Sequence, residues 1–66
     1  MKNPTGRILA VDPGEKNIGL ALSDPYGMLA SPLTVIKHVV RVVDAAQIAQ
    51  TAVDHGAVRI IIGCPL

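Results

Sequence analysis

Asp12 ends an otherwise apolar run, Ile8-Leu9-Ala10-Val11, and is followed by Pro13-Gly14-Glu15-Lys16-Asn17-Ile18-Gly19. No base lies beside it in sequence, and a carboxylate left near a core is costly unless it is paired or bound to a metal. A hard cation such as Mg²⁺ takes oxygen ligands and is commonly held by one or two carboxylates together with substrate phosphate, which is chemistry Asp12 can supply. The competing reading is an aspartate that caps the Pro13-Gly14 turn, and spacing alone leaves both open. Gly14 would let the backbone approach a phosphate, since consecutive amides in such a turn can form an anion-binding concavity. Lys16 could add a point charge. The same two residues also fit a plain hairpin turn and a solvated loop lysine.

The remaining polar residues point mainly to structural roles. Asp24 precedes Pro25 at the far end of a second apolar run and is expected to form a turn rather than serve as a second metal carboxylate. Gly19 is expected to relieve packing within that run. His38 and His55 have no metal-ligand spacing and no nearby nucleophile, and His55 suits the carboxyl end of a helix. Lys37, Arg41 and Arg59 are scattered in sequence, with no interleaved aromatics for base stacking. Cys64, in an apolar run before Pro65, reads as a small buried hydrophobe.

Elements that would position these residues follow from periodicity. Arg7 to Asp12 reads as a strand buried on both faces. Pro13-Gly14 breaks it, and a second strand runs from Ile18 to Ser23. Asp24-Pro25-Tyr26-Gly27 carries turn chemistry. A third strand lies between Met28 and Ile36, and Ser31-Pro32 suits it to an edge. Ala45, Ile48, Ala49, Ala52 and Val53 then recur at helical spacing, predicting a helix from about Asp44 to His55. Asp44 and Gln47 resemble a capping box and Gly56 a left-handed stop. Arg59 to Gly63 reads as a fourth strand, again buried on both faces.

Short connections make the first three strands antiparallel, and a right-handed crossover through the helix returns the fourth parallel to the first. The expected fold is α/β, a mixed sheet in the order 3-2-1-4. Asp12 then lies at the carboxyl end of an interior strand, beside the end of the fourth strand at Gly63, where open sheets bind ligands.

Composition narrows the function class. Sixty-six residues allow at most one small domain, and a chain of this size hides only roughly 60% of its unfolded surface. Half of the residues are hydrophobic, Phe and Trp are absent, and Tyr26 is the one aromatic, so Ile, Val, Leu and Ala must fill the core. Such sequences usually need disulfides, metals or partners; with a single cysteine, partner chains or further sequence become the expected supplement. Apolar runs are strand-sized, far short of the ~20 residues of a membrane span. Polar Asn3, Thr5 and Gly6 after Met1-Lys2 do not support a secretory signal, leaving a cytoplasmic protein as the default. A formal net charge of +1 is too small to argue nucleic-acid binding from charge.

Three blocks carry a family resemblance: Leu9 through Pro25, then Ser31-Pro32-Leu33, then Ile60-Ile61-Ile62-Gly63-Cys64-Pro65-Leu66. They resemble, in order and spacing, the YqgF (RuvX) family of ribonuclease H-like proteins, with Asn17 where arginine is frequent. The resemblance covers nearly the whole chain but only about the first half of a typical member, so residues 1–66 are expected to be a single, partial domain. It implies a ribonuclease H-like fold, a role in 5′-end processing of precursor 16S ribosomal RNA, and a nuclease mechanism using Mg²⁺ or Mn²⁺. Asp12 corresponds to the family's first catalytic carboxylate and metal ligand. The other acidic ligands are implied to follow Leu66, so these residues alone are expected to bind metal weakly and to lack activity. Rivals are a Holliday-junction resolvase acting on branched DNA, an actin-like ATPase or kinase whose hairpin binds phosphate, and a non-catalytic nucleic-acid scaffold. Self-association through the fourth strand is also expected, because that strand would lack its next neighbour.

Overall fold

The computed structural model describes residues 6–26 and 29–63. Its elements are β1 (Arg7–Pro13), β2 (Asn17–Ser23), β3 (Ala30–Lys37), α1 (Arg41–Asp54) and β4 (Ala57–Ile62). They form one four-stranded sheet in the order β3-β2-β1-β4. β1 pairs antiparallel with β2 and parallel with β4, while β2 pairs antiparallel with β3. The expected order and directions are therefore present. The crossover helix is long enough to bring β4 back parallel to β1, as a parallel pair requires.

Strand alternation divides the sheet into two unlike faces. Leu9 and Val11 of β1, with Ile18 and Leu20 of β2, point to the side covered by α1 and form the buried core with Ala52. Ile48 of α1 and Leu22, Leu33 and Ile36 of the sheet pack around them, half-buried. Leu9 and Val11 are fully buried, each worth roughly 1.5–3 kcal/mol of apolar burial. The opposite face has no helix over it among the described residues. β1 is thus buried on one side and only partly on the other, not on both as its continuous apolar run predicts.

β4 departs further from expectation. Its outer place in the sheet is the one that the order 3-2-1-4 gives it, but Ile60, Ile61 and Ile62 are 40, 45 and 69% exposed where burial on both faces is expected. A run of apolar residues cannot by itself distinguish an interior strand from an edge, because that depends on which neighbour pairs with it. β3 sits at the opposite edge, as Pro32 suggests. It runs continuously through Ser31-Pro32, with a bulge in its pairing between Leu20 and Ala21 of β2. Met28, the first residue of the range in which this strand is expected, lies outside the described residues, as does Cys64.

The helix starts earlier than its periodicity indicates. Val40, in extended conformation, precedes it and offers no side-chain cap. Asp44 lies inside the first turn rather than at the N-cap, and the capping box with Gln47 does not form; the Asp44 carboxylate instead accepts the Val39 N–H at 3.0 Å. β-branched Val42 and Val43, both on the exposed side, obscured this turn in the sequence. Val53, expected on the inner face, is 74% exposed. At the other end Gly56 adopts φ 68°, the left-handed stop anticipated, and its N–H reaches the Val53 carbonyl. Among the described residues no helix is long and apolar enough to cross a membrane.

Candidate functional site at the carboxyl end of the central strand

Since Leu9 and Val11 face α1, alternation turns Ala10 and Asp12 to the uncovered face. Asp12 is exposed there. Directly across the β1–β2 ladder stands Gly19, where a Cβ would lie 3.8 Å from the Asp12 Cβ, in ordinary contact. Gly19 is therefore not relieving tight packing; its missing side chain keeps the space beside the carboxylate open. On the other flank Val11 pairs with Ile62, and the Gly63 N–H donates to the Val11 carbonyl at 2.9 Å. Asp12 thus lies level with the end of β4, the crevice position expected. It borders a shallow depression of about 470 Å³ whose floor includes Ala10, Gly19, Ala21, Pro32 and Val35.

The Asp12 carboxylate makes no hydrogen bond or ion pair with another described residue. The turn that follows it is closed without it, by the Gly14 N–H donating to the Asn17 carbonyl at 2.9 Å. A Cβ on Gly14 would come within 2.6 Å of that same oxygen, so only glycine allows the turn. This commits the Gly14 amide to the hairpin, while the carboxylate stays available. Lys16 is exposed, and its carbonyl accepts the His38 N–H at 2.8 Å.

That last bond ties the turn after Asp12 to the corner between β3 and α1. There the His38 Nδ1 is paired with the Asp44 carboxylate. Asp44 is buried, and its carboxyl is held below the usual aspartate range, chiefly by the Val39 N–H and further by His38, against the opposing effect of burial. His38, Arg41 and Asp44 help line a cavity of about 650 Å³ under α1, which also reaches Pro13 and Gly14. Lys37 lies opposite Asn17 in the β2–β3 register. Three cations that looked unrelated in sequence, Lys16, Lys37 and Arg41, therefore lie with His38 at the Asp12 end of the sheet, His38 and Arg41 on its α1 side. Arg59, level with Ile8, stays toward the other end. The His38–Asp44 pair was missed because its spacing spans a strand-to-helix corner and obeys neither period.

Asp24 is where the hairpin geometry puts it. The Gly6 N–H donates to the Pro25 carbonyl at the start of β1, opposite to Asp12's end, and Asp24 Oδ1 accepts the Tyr26 N–H at 3.2 Å to form a turn. Among the described residues no three His, Cys, Asp or Glu side chains gather as a metal cluster. As a donor set, the site fits one oxygen ligand of a hard cation and does not by itself complete a coordination sphere.

A family model described as "RuvX: Holliday junction resolvase" matches residues 6–66. The chain belongs to the RuvX family. Three of its curated relatives share the name "Putative pre-16S rRNA nuclease". The relative from Roseiflexus sp. (strain RS-1) is 44% identical over 66 residues, covering 100% of this chain and 47% of the relative. That from Kineococcus radiotolerans is 46% identical over 59 residues, 88% of this chain and 31% of the relative. That from Caulobacter vibrioides (strain NA1000 / CB15N) is 42% identical over 59 residues, 89% and 38% respectively. The chain thus spans about half or less of the length of these relatives. Within this RuvX-family chain, Asp12 is the exposed carboxylate that the interior strand delivers to the open face of the sheet.

Proposed function

We propose that this chain contributes the first carboxylate of a metal-dependent nuclease site that acts in 5′-end processing of precursor 16S ribosomal RNA. The observation that carries the reading is Asp12 itself: an exposed carboxylate at the end of an interior strand, without a protein partner among the described residues and beside an open depression. Asp12 would hold one position on Mg²⁺ or Mn²⁺, whose chemistry when bound is to activate water and stabilise the leaving oxygen. Gly19 leaves room for the scissile strand next to that carboxylate. Gly14 fixes the turn that aims Asp12, and Lys16 on the same turn offers a point charge to substrate phosphate. A two-metal arrangement holds ions ~3.5–4 Å apart and needs more carboxylates than Asp12, so the reading expects further acidic ligands in the whole protein and none of its activity in these 66 residues alone. Such a protein would work where ribosomal RNA is made, in the cytoplasm of a bacterium.

The family model's own description favours one alternative, cleavage of a four-way DNA junction. A single experiment separates the two: the whole protein that carries this chain is offered precursor 16S transcript and a four-way junction, each with Mg²⁺ and with chelator. Metal-dependent trimming of the transcript supports the proposal. Cleavage of the junction alone assigns the resolvase reading, and cleavage of neither rejects a nuclease.

A further inference from the structure

We propose that His38 and Arg41, flanked by Lys16 and Lys37, form a cradle for the phosphate backbone of a single-stranded nucleic acid entering the Asp12 site, with Asp44 as the residue that positions His38. The inference deepens the nuclease reading and rests on it for the direction of the strand. Its basis is the placing of these four residues at one corner of the sheet, with His38 and Arg41 lining one cavity there. Backbone hydrogen bonding joins His38 to Lys16 at 2.8 Å, Lys37 registers against Asn17, and Arg41 lines the same cavity as His38, Pro13 and Gly14. No described residue bonds or pairs with the side chains of Lys16, Lys37 or Arg41.

The imidazole is held in a way that suits ligand contact. Its Nδ1 is engaged by Asp44, which also holds the Val39 N–H, so the ring cannot turn freely. Its Nε2 has no partner among the described residues, and the side chain is 40% exposed. A carboxylate that fixes one ring nitrogen sets the role of the other. Asp44 is buried and occupied, which leaves Glu15 as the exposed carboxylate in the adjoining turn besides Asp12. With the carboxylates of this end so disposed, attraction over long distances is small, and what the cradle offers is close contact to phosphates. Single-stranded nucleic acid fits better than a duplex, because a flexible backbone can bend into a corner between a turn and a helix. Binding should be weakly sequence-dependent and salt-sensitive, as phosphate contacts are.

The test is the binding of a short fluorescent oligouridylate to the 66-residue chain, read by anisotropy in chelator over a range of salt. His38→Gln with Arg41→Gln should weaken binding about tenfold and lower the salt slope by roughly 0.7, for the one phosphate that Arg41 no longer neutralises. Arg7→Gln with Arg59→Gln, which removes charge from elsewhere in the sheet, should change affinity less than about twofold. Asp44→Asn should weaken binding in the parent chain and have no further effect once His38 is Gln. Should the first pair unfold, as read by circular dichroism, Lys37→Gln with Arg41→Gln replaces it with the same expected weakening. Equal weakening by the two charge-removing pairs, or no binding by the parent chain at low salt, overturns the proposal. Binding is read without metal or cleavage, so a cradle that behaves as expected in a protein that cuts neither substrate would reject the nuclease reading and leave this one standing.

Discussion

Asp12 and Gly19 face each other across the β1–β2 ladder, and a Cβ at position 19 would lie 3.8 Å from the Asp12 Cβ. Glycine in a strand interior weakens the strand, and at this position its φ is not left-handed. Gly19→Ala should therefore raise the stability of the chain by about 0.4–1 kcal/mol, through a less flexible unfolded state, while lowering cleavage by the whole protein. Thermal melting and the cleavage rate check the two halves. Unaltered cleavage would mean that the opening beside Asp12 is not used.

Asp12→Asn should abolish cleavage by the whole protein. A substitution that removes a direct metal ligand should exceed the about 10–100-fold loss typical of outer-shell partners. Stability should stay within about 0.5 kcal/mol, as for an exposed site with no protein partner. A large fall in melting temperature with activity retained would instead make Asp12 a structural residue.

The acid side of the stability profile should depend on Asp44. Its folded-state pKa lies below the ordinary value, so in the window between the two the unfolded chain binds the extra proton and stability rises with pH. The contribution is complete above the ordinary aspartate pKa, about 3.9, and is lost as pH falls through the lowered folded value. Asp44→Asn should melt lower than the parent at neutral pH, and the gap should close as the solution is acidified below about pH 3.9. Melting curves at neutral and acid pH decide it; a gap that stays constant would show that the charge is not what matters.

At micromolar concentration the 66-residue chain should associate through β4. Along Ile60-Ile61-Ile62 the outer side of the strand offers backbone groups that no described strand pairs, with apolar side chains and neither proline nor charge to blunt them. A two-fold antiparallel β4–β4 pairing is the simplest closed arrangement. Sedimentation should find a dimer, and Ile61→Lys, on the open face beside Ala10, should shift it toward monomer. A clean monomer in the parent chain would refute the idea.

Local pattern determined a good deal of this protein. The apolar runs around Leu9 and Leu20, the Pro13-Gly14 break, the Asp24 turn and the Gly56 stop each depend on neighbours within a few residues, where sterics and hydrogen bonding act directly. From these the strand order, the parallel return of β4 and the place of Asp12 at a strand end all followed, since short connections leave few topologies. What lay beyond reach involved contacts between distant segments. The start of α1 was misplaced because Asp44 serves a backbone amide five residues earlier and an imidazole six residues earlier. The order 3-2-1-4 already put β4 at the rim, but how far Ile60 to Ile62 stay exposed depends on what packs over them, and an apolar triplet reads the same covered or bare. Lys16, Lys37, His38 and Arg41 are spread over 26 sequence positions and come together only because the β2–β3 ladder and the Lys16–His38 hydrogen bond close the sheet at that end. Sequence alone determined which residue carries the carboxylate and on which strand, because chemistry and alternation are properties of the chain itself; which side chains surround it was decided by the tertiary fold, because proximity between distant residues exists only once the strands have paired.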